Sequence, residues 1–158
     1  MEDVTLEINK INQKITEIRG NITGANYRIS QYQDKINELN KENEELRKFK
    51  NVVNVDYVNY KDIISQKKKY AESSNDIKNL RCSKVYSETM LDRLKGIRPS
   101  STNALFFAIL AALTSKIDAN CSKITSLNGL ITSEQIMIGD FDGAIRSYKT
   151  QINLLKQK

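Results

Sequence analysis

Apolar residues recur along the first third of this chain in strict alternation of four and three. Val4, Ile8, Ile11, Ile15, Ile18, Ile22, Ala25, Ile29, Tyr32, Ile36, Leu39, Asn43 and Leu46 follow one another in that rhythm. It is a heptad pattern, and it predicts a long helix with a coiled-coil seam. Ile8, Ile15, Ile22, Ile29, Ile36 and Asn43 take position a, and the others take position d. Gly20 and Gly24 fall on the outer face, where each costs about 1 kcal/mol of helix propensity without disturbing the seam.

The last third repeats the rhythm from Phe106 to Leu155. Leu110, Ile117, Ile124, Ile131, Ile138, Ile145 and Ile152 take position a. Asn120 and Glu134 are the polar d residues. The two seams can pair within one chain. A buried amide left without a partner costs about 1–3 kcal/mol, so polar seam residues are expected to meet each other. Placing Asn43 opposite Asn120 makes facing residue numbers sum to 163. Ile15 then faces Tyr148, Ala25 faces Ile138, and Glu134 faces Ile29 with Arg28 beside it. Both chain ends finish together, and the tip falls at Arg81–Cys82.

The middle is less regular. Ser73-Ser74-Asn75-Asp76 is a polar, cap-like cluster. Gly96 to Ser101, which includes Pro99, reads as a helix stop and restart with Ser101 or Thr102 as N-cap. The expected organisation is one all-α domain over 1–158: an elongated antiparallel coiled-coil hairpin with a short extra helix near its tip. The first long helix is expected over about 2–72, the short one over about 76–96 and the second long one over about 101–157. The competing topology runs three helices up, down and up.

Composition sharpens the picture. The chain has 158 residues, no His, no Trp, one Pro and two Cys. Without His there is no Ser-His-Asp triad, no Cys-His pair and no imidazole zinc site, and two Cys alone cannot hold zinc or an iron–sulfur cluster. No Gly-rich phosphate loop is present. Asp140-Phe141-Asp142-Gly143 resembles part of a calcium loop, but it lacks the later ligands and Phe141 is a seam residue. No catalytic residue, cofactor or metal is expected. The acidic start Met1-Glu2-Asp3-Val4 is not a Sec-type signal peptide, so a cytoplasmic location is expected, with any co-secretion by another route. The apolar run Ala104–Leu113 is short of the roughly 20 residues a membrane span needs, so a membrane is not an expected partner. Net charge is +6. Lys61 and Lys67-Lys68-Lys69, interleaved with Tyr57, Tyr60 and Tyr70, permit a nucleic-acid patch. A solvated helix face accounts for them as well, and nucleic acid is not the expected partner.

Binding through helices remains. Leu105, Phe107, Ile109, Leu130, Ile136, Met137 and Leu154 lie off the second seam, and Phe49, Val52, Val55, Val58 and Ile63 lie off the first. They exceed what one helix pair covers. They are expected to form a face for a helical protein partner or for another copy of the chain.

The stretch Leu80-Arg81-Cys82-Ser83-Lys84-Val85-Tyr86-Ser87-Glu88-Thr89-Met90 lies between the two heptad-rich arms. This layout resembles the small helical partners of bacterial type VII secretion, in particular the YwqH-like group encoded beside LXG-type toxins and related to the Esx, or WxG, hairpins. In that comparison Leu80 opens the tip motif. Cys82 stands in the Trp position, Lys84 in the Gly position, and Met90 where an aromatic is common. The Tyr-x-x-x-Asp/Glu export signal has no counterpart, since Tyr148 is followed by Lys149, Thr150, Gln151 and Ile152. The resemblance implies a non-enzymatic adaptor or chaperone for the helical N-terminal targeting domain of a toxin, acting alone or with a second small helical protein. The alternatives are a self-associating structural coiled-coil protein of phage or cytoskeletal type and a basic nucleic-acid-associated helical protein.

Overall fold

The computed structural model describes residues 2–75 and 81–157. Those residues form α1 (Glu2–Asn75), α2 (Arg81–Lys95) and α3 (Ile97–Leu155), with no strand among them. The protein is therefore all-α with two long helices. Neither α1 nor the interior of α3 contains a proline. The many Ser and Thr residues of α3 keep their hydroxyls within the helix: Thr114, Thr125, Thr132 and Thr150 each donate to the carbonyl four residues earlier. That local bond satisfies the hydroxyl without drawing the backbone out of the helix.

Close contacts gather into two units, Met1–Asn40 with Cys121–Lys158 and Lys41–Asn120. In the first, Ile11, Ile15, Ile145 and Ile152 form one buried cluster, flanked by Ile8, Ile18, Ile22, Tyr148 and Leu155. All are seam positions. In the second, Leu46, Val53, Tyr57, Tyr60, Ile64 and Ala71 of α1 are buried or half-buried, as are Phe106, Leu110, Leu113 and Ile117 of α3. The Tyr57 and Phe106 rings lie 5.3 Å apart, and Tyr60 and Phe106 lie 5.8 Å apart. Ser87 of α2 is buried against Ala71 and donates to its carbonyl at 2.6 Å, and Ser83 donates to the Ser74 carbonyl.

The breaks differ from those expected. Helix α3 starts at Ile97, not near residue 101, and Thr102 is no cap: its hydroxyl donates to the Arg98 carbonyl at 3.0 Å. Pro99 falls in the first turn, where the missing N–H would have had no intrahelical acceptor, so it is compatible with the start of a helix. The stop belongs to Gly96. A Cβ there would lie 3.0 Å from the Asp92 carbonyl oxygen, an approach that favours glycine at the end of α2. Arg81 and Cys82, expected at the tip, are the first residues of α2. Leu80 and the expected short-helix start at 76 lie outside the described residues. The single register also lapses. Tyr57 meets Phe106, with numbers that sum to 163, and Tyr60 touches residues on both sides of that sum, Phe106 and Pro99, whereas Ser87 of α2 meets Ala71, with a sum of 158. The bend at Gly96 lies between these last two contacts.

By length and composition, the helical stretch Arg81–Leu155 holds an 18-residue window apolar enough to cross a membrane, with mean hydropathy 1.4. Only 11% of that window is buried within the structure.

A Cβ at Gly20, Gly129 or Gly139 would meet nothing within 4 Å. Each Gly→Ala change is expected to raise stability by about 0.4–1 kcal/mol by removing freedom from the unfolded chain. The three sites share no partner, so their effects should add. Urea unfolding of the three single variants and the triple variant checks this; a triple no more stable than the best single would contradict it.

Candidate interaction surface

Two polar layers interrupt the apolar stripes. In the second unit, Asn43 and Asn120 are both buried, Asn120 completely. Asn120 Nδ2 donates to Asn43 Oδ1 at 3.1 Å and also to Glu42 Oε2 at 3.0 Å. Glu42 is tied in turn to Lys116, whose Nζ lies 3.2 Å from Glu42 Oε1. Among the described residues, Asn120 Oδ1 is buried without a donor. That unmet oxygen offsets part of what the layer's hydrogen bonds contribute to stability. The asparagine match is readable from the two heptads. Glu42 and Lys116 are not, because each is simply a charged residue beside the seam.

In the first unit, Arg28 reaches Glu134 with two bonds, Nε to Oε1 at 2.6 Å and Nη2 to Oε2 at 2.8 Å. The forked geometry matches the guanidinium to the carboxylate. The Glu134 side chain is 12% exposed and that of Arg28 is 44% exposed. The hydrogen bond from Arg28 holds the Glu134 carboxyl below the usual carboxylate range, and the same bond raises Arg28 above its ordinary value. This bond lets a carboxylate occupy a seam position.

A depressed folded-state pKa contributes stability that is complete above the ordinary carboxylate range, about pH 4–5. That contribution is lost as pH falls through the folded value. Glu134→Gln is expected to lower stability at neutral pH and to flatten the loss seen on acidification. Thermal melts between pH 3 and 7 measure both effects. Parallel pH curves for the two proteins would show that the pair carries none of the acid sensitivity.

The other seam residues fall on the inner stripes. Ile36, Ile117, Ile131, Ile145 and Ile152 are buried, and Ile8, Ile22, Ile29, Ile124 and Ile138 are half-buried. Leu105, Phe107, Leu130, Ile136 and Met137 of the expected partner face are exposed, with Ile136 at 62% and Leu105 at 61%. Ile109 departs from them and is half-buried. Phe107 is exposed yet lies 5.3 Å from the Tyr57 ring, edge to face. On α1, Phe49, Val52, Val55, Val58 and Ile63 are exposed. Tyr57 and Tyr60, grouped in the sequence with the lysines, pack on Phe106, and Lys61 Nζ lies 4.7 Å from the Tyr57 ring centroid. Of the tip motif, Cys82 and Lys84 are exposed on α2, and Met90 is half-buried.

No cluster of three or more potential metal ligands occurs among the described residues. Comparison with family models, curated proteins and solved structures finds no match for this chain.

Proposed function

We propose that the protein is a non-enzymatic helical adaptor, an antiparallel coiled-coil hairpin that holds an amphipathic helix of another protein. The observation that carries this reading is the apolar surface left on the second unit. Phe49, Val52 and Ile63 of α1 and Leu105 of α3 stay exposed although the inner stripe of that unit is already filled by Val53, Tyr57 and Phe106. At 100° per residue, Phe49, Val52 and Ile63 fall on one flank of α1. Exposed apolar side chains aligned along a helix flank match the anchors that a partner helix presents at i, i+3 or i+4, and i+7. The reversed order of contacts supports the hairpin. Lys14 lies over Tyr148, and Arg28 bonds Glu134. An absence of His supports a binding role over an enzymatic one.

The partner we propose is the helical N-terminal targeting domain of a toxin exported by a type VII system. The export signal would then be supplied by that partner. Co-expression with such a domain tests the reading. Wild type is expected to co-purify with it, and Phe49→Glu with Leu105→Glu is expected to abolish capture while leaving helical content unchanged. Equal capture by wild type and variant would remove the apolar face from the argument. A stable self-associated form that dissociates in the variant would favour the structural reading. Within the hairpin, Asn43→Cys with Asn120→Cys is expected to form an intrachain disulfide in the monomer, and failure to link would sink the pairing.

A further inference from the structure

One contact fixes which flanks of α1 and α3 share an edge in the second unit. Glu42 of α1 lies 3.2 Å from Lys116 of α3 and accepts from Asn120. At 100° per residue, Phe49 falls within about 20° of Glu42 on α1, and Leu105, Ile109 and Ala112 fall within about 40° of Lys116 on α3. Phe49 and Leu105 therefore border the same edge. Phe107 belongs to the other one, where it meets the Tyr57 ring and Lys61 lies over that ring.

The charges of α1 sort between the two edges. From Glu42 to Ile63, the acids Glu42, Glu45 and Asp56 lie within about 40° of Phe49, whereas Arg47, Lys48, Lys50 and Lys61 lie about 100° or more away. Lys48 is paired there with Glu44. The first cation back on the line of Phe49 is Lys67, one turn beyond Ile63. Helix α3 adds no free charge to the edge. Pro99 to Ser115 contains no Asp, Glu, Lys or Arg, and Lys116 is engaged by Glu42. Glu45 and Asp56 are exposed, and among the described residues neither is in an ion pair.

A helix that covers Phe49, Val52 and Ile63 runs alongside these two carboxylates and takes water from them. Acids on that helix would be repelled, and uncharged residues would leave both carboxylates partly desolvated without compensation. We propose that the helix held on this edge is basic along the side that faces α1, with Lys or Arg opposite Glu45 and Asp56. Those two positions are 11 residues apart, which is three turns and about 16 Å. The partner's cations therefore recur at the same spacing, with its apolar anchors between them. The side that faces Leu105, Ile109 and Ala112 is apolar. This inference rests on the adaptor reading and adds the chemistry of the partner. It runs against the net charge of the chain: at +6, long-range attraction alone favours an acidic partner.

Synthetic amphipathic peptides test it, each of about three heptads with leucine at positions a and d. They differ only in carrying Lys, Gln or Glu at two flank positions with the spacing of Glu45 and Asp56. Binding to the full chain is followed by fluorescence anisotropy at low and high salt. At low salt the Lys peptide is expected to bind about fivefold or more tighter than the Glu peptide, with the Gln peptide between them. The difference should shrink as salt rises. Glu45→Gln with Asp56→Asn is expected to remove the preference for Lys. Asp140→Asn with Asp142→Asn removes the same charge from the first unit and is expected to keep it. A preference for Glu, or a preference for Lys that survives the change at Glu45 and Asp56, overturns the proposal. Equal binding of the peptides that Phe49→Glu with Leu105→Glu abolishes also overturns it, and leaves the adaptor reading standing. If no peptide binds saturably, both readings fall. A dimer of the full chain that then dissolves in Phe49→Glu with Leu105→Glu would give the edge to a second copy.

Discussion

Replacing Asn120 with leucine is expected to lower stability by about 1–3 kcal/mol, whereas replacing Asn43 and Asn120 together restores most of that loss. The asymmetry follows from burial. Asn43 is 3% exposed and Asn120 is 0% exposed, and they share the bond from Asn120 Nδ2 to Asn43 Oδ1. The single change withdraws the donor and leaves the Asn43 amide beside an alkyl group. The double change replaces two desolvated amides, one of them with an unsatisfied oxygen, by apolar groups that fill a seam layer. Stability then recovers, but the layer in which amide meets amide is gone. Specification of register and partner is therefore expected to weaken. Urea unfolding gives the energies, and light scattering of the purified proteins gives the association state. A double variant whose loss equals the sum of the two singles would show that the layer is a stability element. A double variant that stays as uniquely assembled as wild type would show that register is set elsewhere, with the Arg28–Glu134 pair the next candidate.

The stripes on which this layer sits are readable because each seam residue is a large aliphatic in a field of polar ones. From Val4 to Leu46, every position of the first heptad series is buried or half-buried, and so is every position from Phe106 to Leu155. Beyond Leu46 the buried stripe of α1 continues through Lys50, Val53, Tyr57, Tyr60, Ile64, Lys68 and Ala71. There the pattern dissolves to the eye, because lysine stems and tyrosine rings stand where isoleucine stood before. Their apolar bodies pack while their polar ends reach water. The same ambiguity set Tyr57 and Tyr60 among the basic residues. Sequence spacing cannot separate a tyrosine packed at a tilt on Phe106 from one that awaits a base. The partner face is readable by subtraction, as apolar residues left over from a filled seam. Ile109 shows the limit of that method: it neighbours the inner stripe at Leu110 and Leu113 closely enough to be half-buried. The Gly96-to-Ser101 break was misplaced because a lone proline reads as a stop, although the first turn of a helix accepts it.

Truncating Ile15 to alanine is expected to destabilise the protein by about 2–5 kcal/mol, the range for removing buried aliphatic volume. Ile15 is 6% exposed and belongs to a cluster with Ile11, Ile145 and Ile152. Few residues in this chain are buried that far, because helices packed through one stripe expose most of their circumference to water. Each member therefore carries a large share of the unit's apolar burial. The lower half of the range is expected, since side chains at the edge of a narrow stripe can move into the vacated space. Ile145→Val removes one methylene from the same cluster and should cost about 0.5–1.5 kcal/mol. Because the two sites share neighbours, their combination should depart from the sum of the singles by about 0.5 kcal/mol or more, whereas Ile15→Ala combined with Val53→Ala, which lies outside the cluster, should add. Urea melts of the singles and both doubles decide it. Strict additivity within the cluster, or a loss below about 0.5 kcal/mol for Ile15→Ala, would mean that Ile11, Ile15, Ile145 and Ile152 do not act as one core.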